Sequence, residues 1–142
     1  MLVLDTTVLS ILEWSATSPK AQRLLQRLEK SGHDVASTIV CCEEQMRGWI
    51  AALNSKPDMK DQIEAYRRLK RRLDNYCTMV ILDFDEPAAA KLQELKQAKL
   101  RVGTMDLKIA AIAMVHNATV LTDNTRDFAR VPGLRLEDWD KL

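Results

Sequence analysis

Short apolar runs alternate with helix-patterned segments along this chain, and two of those runs end on an aspartate. Residues 2–5, 35–40, 79–82 and 118–122 each read as a strand, and residues 134–136 as a short last one. The segments between them carry apolar residues at helical spacing. Ala21, Leu24, Leu25 and Leu28 fall on one face after the Ser18-Pro19 start signal. Met46, Trp49, Ile50 and Leu53 mark a second helix, and Ile63, Tyr66, Leu69, Leu73 and Tyr76 a third, the two forming a hairpin inserted between strands. Pro87 opens a helix that continues through Leu92, Leu95 and Leu100, and a further helix over 107–116 is rich in alanine. Strands separated by helices imply a parallel connection. The fold class expected is α/β: a three-layer α/β/α domain over residues 1–142, with a central, mostly parallel sheet.

Composition narrows the function classes without choosing one. The 21 basic and 20 acidic residues leave a net charge of +1, so affinity for a polyanion has to come from local patches. No apolar run approaches the ~20 residues of a membrane helix, and no basic segment followed by a small-residue cleavage site opens the chain. The cytoplasm is therefore the compartment expected. Cys41, Cys42 and Cys77 are odd in number and two are adjacent, which does not make a disulfide framework. With His33 and His116 isolated and no C-x-x-C pair, the pattern of a zinc site is missing.

The chemistry-bearing residues are carboxylates. Asp5 and Asp123 end strands, Glu43 lies in the first turn after the second strand, and Asp106 opens the helix leading to the last core strand. Ligands of open α/β sheets bind outside the carboxyl ends of the strands, so these four positions can share one site. Taken singly, Asp106 or Glu43 is more often a helix cap than a ligand; Asp5 and Asp123 are harder to explain that way, though each could cap its following helix. Together they would repel unless a cation compensates them, and an all-oxygen donor set selects Mg²⁺ or Mn²⁺. A bound metal lowers the pKa of its water and shields a phosphodiester, and one or two ions fit that purpose. An aspartyl-phosphate enzyme is the rival on the same fold. A phosphatase of that kind wants a second Asp two residues after Asp5, where Thr7 stands, and a receiver wants an acid pair that the N-terminus lacks. A binding module without catalysis is the other rival, and the retention of all four acids argues against it.

These residues resemble the PIN-domain ribonucleases, specifically VapC-type toxins of toxin–antitoxin pairs, over essentially the whole chain. The resemblance is carried by Leu4-Asp5-Thr6-Thr7, by the segment from Ser37 to Gly48 with its Glu43-Glu44 pair, by Gly103-Thr104-Met105-Asp106, and by the stretch from Leu121 through Asp123 to Leu134. It implies a Mg²⁺-dependent endoribonuclease with Asp5 and Asp106 as principal ligands. Glu43 would complete the acidic pocket, Asp123 would take a fourth position where many relatives carry Asn, and Thr6 would support Asp5. The distance from Ser37 selects Glu43, whereas counting back four from Gly48 selects Glu44; Glu43 is preferred. Asp127, four residues after Asp123, can face the same side. Thr7 stands where many relatives carry Asn. The resemblance further implies an RNA substrate, a cognate antitoxin and a homodimer, with Trp14 and Trp49 on the helices where such toxins meet their partners.

Two basic groups are candidates for RNA contact. Arg67, Arg68, Lys70, Arg71 and Arg72 form the densest cluster and read first as a solvated helix face. Lys99, Arg101 and Lys108 flank the Gly103 loop, closer to the acids. Core packing is the expected role of all three tryptophans.

Overall fold

The strand at the centre of the sheet is the one that ends on Asp5. The computed structural model describes residues 1–139. In chain order the elements are β1 (Leu2–Leu4), α1 (Thr6–Leu12), α2 (Pro19–Ser31), β2 (Val35–Thr38), α3 (Ile39–Asn54), α4 (Met59–Cys77), β3 (Val80–Leu82), α5 (Glu86–Gln97), α6 (Thr104–Val115), β4 (Thr119–Leu121), α7 (Thr125–Phe128) and β5 (Arg135–Glu137). The five strands are all parallel and lie in the order β3-β2-β1-β4-β5. Leu2 pairs with Val35 on one side and with Thr119 on the other. The chain therefore winds outward from β1 to β3 and returns across the sheet to β4, which puts the topological switch point between β1 and β4. That crevice, at the carboxyl ends of the strands, is where open α/β sheets bind ligands.

A strand covered on both faces needs no polar alternation, and Leu2, Val3 and Leu4 are all buried. Leu2 and Leu4 join a core with Val8, Leu9, Leu28 and Leu121, while Val3 packs with Ala113, Ala118 and Val120. Helix α6 is buried nearly all round, through Leu107 and the run from Ile109 to Ala113, because its alanines let it lie close to its neighbours. Phe128 of the short α7 is fully buried and anchors that turn; burying such a ring contributes about 2–3 kcal/mol.

Local signals set the boundaries, and several fall earlier or later than the hydrophobic pattern alone indicates. Thr38 ends β2 by capping α3, its hydroxyl accepting from the Cys41 amide at 3.1 Å, so the strand stops two residues short of Val40. Gly103 is the N-cap of α6, which starts at Thr104; Asp106 is inside the first turn and does not cap. Helix α5 ends at Gln97, and Lys99 adopts φ 52°, which leaves Leu100 outside the helix. Gly32 closes α2 at φ 69°, a left-handed conformation glycine takes without a Cβ penalty. Among the described residues no helix is long and apolar enough to cross a membrane.

Candidate active site

Asp5 is only 3% exposed, and its carboxylate is held from three directions. Its Oδ1 accepts from the Val8 amide at 3.0 Å, the N-cap bond of α1, and from the Thr7 hydroxyl at 2.6 Å. Its Oδ2 accepts from the Thr122 hydroxyl at the end of β4. A carboxylate offers about four lone-pair positions, so roughly one remains to face the crevice. Burial pushes the Asp5 pKa up, the bonds from Thr122, Thr7 and Val8 draw it back, and the charge of Asp123 adds to the rise. Capping and site chemistry are thus the same geometry at this residue.

Thr7 ties the two strand ends together. Its hydroxyl donates to Asp5 and accepts from the Asp123 amide at 3.3 Å, while Thr122 Oγ1 accepts from the Asn124 amide at 2.9 Å. The bracing expected of Thr6 is supplied by Thr7 and Thr122. Thr6 Oγ1 is buried, makes no hydrogen bond of good geometry, and lies close enough to Glu44 to draw its pKa down.

Of the glutamate pair, Glu44 faces the acids. Val40, Cys41 and Gln45 form the buried face of α3, and Glu44 follows Val40 by one helical turn. Glu43 follows Ile39, which is 45% exposed, and points outward with its carboxylate accepting from Arg47 at 2.8 Å. One oxygen of Glu44 is buried and unpaired. Burial, then Asp106, then Asp5 and Glu43 raise its pKa against a contribution from Thr6. The preference for Glu43 over Glu44 thus moves by one residue. It rested on the distance from Ser37; the helix begins at Ile39, which turns Glu43 outward and Glu44 toward the acids.

Asp106 is partly buried at the start of α6, and burial raises its pKa, followed by the charges of Asp127 and Asp5. Asp123 is exposed at the rim. Asp127 accepts from Asn124 Nδ2 at 3.3 Å and lies 3.9 Å from Arg130, so it faces the acids and a surface cation at once. The crevice therefore gathers Asp5, Glu44, Asp106, Asp123 and Asp127, and leaves Glu43 outside. Asp127 was visible beforehand only as the i+4 neighbour of Asp123.

This donor set suits a hard divalent cation. Three of its carboxylates are pushed toward protonation by burial and by one another, and one buried oxygen lacks a donor. Among the described residues no three carboxylates, histidines or cysteines close tightly enough to hold an ion unaided. A Mg²⁺ ion that keeps several waters requires only one or two carboxylates. Cys41, buried beside this site, has its thiol pKa raised by burial, and its sulfur contacts Thr38 Oγ1 at 3.3 Å; it is not an activated nucleophile.

The basic residues divide. Arg68 and Arg71 both pair with Glu64, and Arg72 pairs with Glu13 and lies over the Trp49 ring, so much of the dense cluster is spent on α4 itself and on joining it to α1. Lys108 lies over Phe84. Of the tryptophans, Trp49 packs edge-on to Tyr76 and Trp139 lies under Arg27, but Trp14 is 51% exposed, contrary to a core role.

A PIN domain profile matches residues 2–134 of the chain. A 48-residue stretch is 50% identical to the ribonuclease VapC2 of Rickettsia felis, covering 34% of this chain and 36% of that protein. A stretch of 63 residues is 38% identical to the tRNA(fMet)-specific endonuclease VapC of Salmonella typhimurium, covering 42% of this chain and 48% of that one. The aligned stretches thus span less than half of these relatives. Over the whole fold the chain is similar to the crystal structure of VapBC2 from Rickettsia felis bound to a DNA fragment from their promoter, with a TM-score of 0.73, 25% identity, and 98% of each chain covered.

Proposed function

The chain belongs to the PIN domain family, and from that premise we propose that it is a Mg²⁺-dependent endoribonuclease and the toxin of a toxin–antitoxin pair. The observation that carries the reading is the gathering of Asp5, Glu44, Asp106 and Asp123 at the switch point of the sheet, with the pKa values of Asp5, Glu44 and Asp106 raised by burial and by neighbouring carboxylates. The names of the relatives, ribonuclease VapC2 and tRNA(fMet)-specific endonuclease VapC, support RNA as the substrate class.

Asp5 and Asp106 would hold the ion, with Glu44 in place of Glu43 and Asp123 completing the ring; Mn²⁺ offers the same hard-cation chemistry. A bound Mg²⁺ supplies Lewis acidity toward the scissile phosphate and makes water a competent nucleophile near neutral pH. The protein's own contribution is positional. Thr7, Thr122 and the Val8 amide fix the Asp5 carboxylate so that no reorganisation accompanies the reaction. Glu44, with its raised pKa and unpaired oxygen, is the group suited to accept a proton from the attacking water and to pass it on. Asp123, exposed at the rim, meets the substrate side of the crevice.

The partners expected are a cognate antitoxin and a second copy of the chain. The α3–α4 hairpin supports this reading because the apolar stripe of α4 is left uncovered: Ile63, Tyr66 and Leu73 are exposed, Tyr66 at 57%, and Trp14 stands nearby under Arg68. Contiguous exposed apolar surface of this kind marks an interaction site. Three unpaired cysteines are consistent with the cytoplasm.

The test is cleavage of RNA by the purified protein with Mg²⁺ and with excess EDTA, beside Asp5→Asn. The substitution keeps a capping oxygen for Val8, and the Thr122 hydroxyl can rotate to accept from the amide. Loss of cleavage in EDTA and in Asp5→Asn, with the fold retained, is the expected result. Full cleavage by folded Asp5→Asn would overturn the proposal.

A further inference from the structure

A cavity of about 320 Å³ opens beside the acids, between α1, α2 and the segment after β5, and Thr122 and Asp123 line it. The volume is at the lower end of the ~300–1,000 Å³ usual for small-molecule pockets, room for one nucleoside. Its walls are mixed, and the acidic ones, Asp123 and Asp138, lie among apolar, aromatic and basic residues. Leu24 supplies apolar surface, and Trp139 an aromatic one. Arg23 and Arg27 supply positive charge.

The aromatic wall is built in place. Trp139 Nε1 donates to Glu137 at 2.6 Å, and the Arg27 guanidinium lies 4.3 Å from the ring centroid while reaching the Trp139 carbonyl at 3.4 Å. A tryptophan and an arginine held in a stack present a flat, rigid surface whose order is already established before anything binds. Arg23 differs: it is exposed and makes no hydrogen bond or ion pair among the described residues. A rigid stacking surface, an apolar wall and a guanidinium unpaired among the described residues match the base and the phosphate of one nucleotide.

We propose that this cavity seats the nucleotide adjoining the scissile phosphate, with its base against the Trp139–Arg27 stack and its phosphate on Arg23. The inference rests on the nuclease reading, because the shared residues Thr122 and Asp123 are what connect the cavity to the acids. Arg23 is then a positioning residue for RNA, and the cavity confers base preference on one side of the cut. None of the basic residues flanking the Gly103 loop lines it.

The experiment compares wild type, Arg23→Ala, Arg23→Lys and Trp139→Leu on randomised RNA oligonucleotides, with cut ends sequenced and KM and kcat separated. Arg23→Ala is expected to raise KM for RNA roughly tenfold, the size of one phosphate or stacking contact, with kcat changing far less. Hydrolysis of bis(p-nitrophenyl) phosphate, too small to span both places, falls much less than RNA cleavage. Arg23→Lys recovers most of the loss, and Trp139→Leu flattens the base preference beside the cut. Unchanged KM and unchanged preference in both Arg23→Ala and Trp139→Leu, while Asp5→Asn abolishes cleavage, overturn the subsite and leave the nuclease standing. If no Asp5-dependent cleavage is found, the nuclease reading fails, and adenosine 5′-monophosphate titrated against the Trp139 indole NMR signal decides the cavity alone. A saturable shift lost in Arg23→Ala supports a nucleotide pocket, and no shift overturns it.

Discussion

Glu44→Gln and Glu43→Gln are chemically the same change one residue apart, and the structure predicts different consequences for them. Glu44 holds a buried, unpaired carboxylate oxygen beside Asp106 and Asp5. An unsatisfied buried acceptor costs about 1–3 kcal/mol; Glu44 is only half-buried, so solvent at its other oxygen keeps the cost at the low end, and an amide in its place retains part of it. Removing the charge is therefore expected to stabilise the metal-free protein by about 1 kcal/mol, or roughly 3 °C in Tm for a chain of 142 residues. Glu43→Gln breaks the exposed pair with Arg47, worth about 0.5 kcal/mol or less, and relieves its weak repulsion of Glu44, so the net change is small. The pH dependence follows from the raised pKa of Glu44. Below its unfolded value of about 4.3 the residue is protonated folded and unfolded, so wild type and Glu44→Gln have the same stability. As pH rises through the folded pKa, wild type loses that contribution and the variant does not, so the gap opens toward neutral pH. Activity runs the other way: Glu44→Gln should lower RNA cleavage roughly 100-fold, while Glu43→Gln stays near wild type. Thermal unfolding in EDTA at acid and neutral pH, beside cleavage in Mg²⁺, reads all four quantities. Loss of cleavage in Glu43→Gln with Glu44→Gln active, or a Glu44→Gln protein less stable than wild type at neutral pH, would refute the reasoning.

Thr7→Val removes the hydroxyl that joins Asp5 to Asp123; it should cost about 1–3 kcal/mol by chemical denaturation and slow cleavage roughly tenfold, with Thr7→Ser close to wild type. Mg²⁺ should raise the Tm of wild type at neutral pH and do so progressively less as Asp5, Glu44 and Asp106 become protonated in acid, since their raised pKa values bring that titration in early. Calorimetric scans with and without the ion check this. Tyr66→Glu and Leu73→Glu should leave the fold and RNA cleavage intact but abolish antitoxin binding or dimerisation, measured by light scattering on the eluting species.

The strand–helix alternation was legible in the sequence because the central strand β1 is an uninterrupted apolar run, as burial on both faces requires, and the other strands carry apolar residues between turn and cap signals. Asp5, Asp106 and Asp123 were legible because they end strands or open helices, and the sheet order brings those positions together. What periodicity could not supply was rotation about a helix axis. The cap at Thr38 starts α3 earlier than the apolar run indicates, and the side of the helix facing the crevice then belongs to Glu44. Thr7 was hidden for another reason: its role depends on a hydroxyl reaching across the gap between β1 and β4, a contact between residues 116 apart that no local pattern encodes. The stripe of α4 was read correctly as apolar, but an amphipathic pattern does not say what covers it, and Ile63, Tyr66 and Leu73 are uncovered in the single chain.

The central claim is that these carboxylates form one cation site, and Mn²⁺ titration followed by electron paramagnetic resonance tests it most directly. Wild type should bind the ion saturably at neutral pH, and Asp106→Asn, folded to the same extent, should bind it at least about tenfold more weakly. Equal Mn²⁺ affinity in the two proteins would contradict the account.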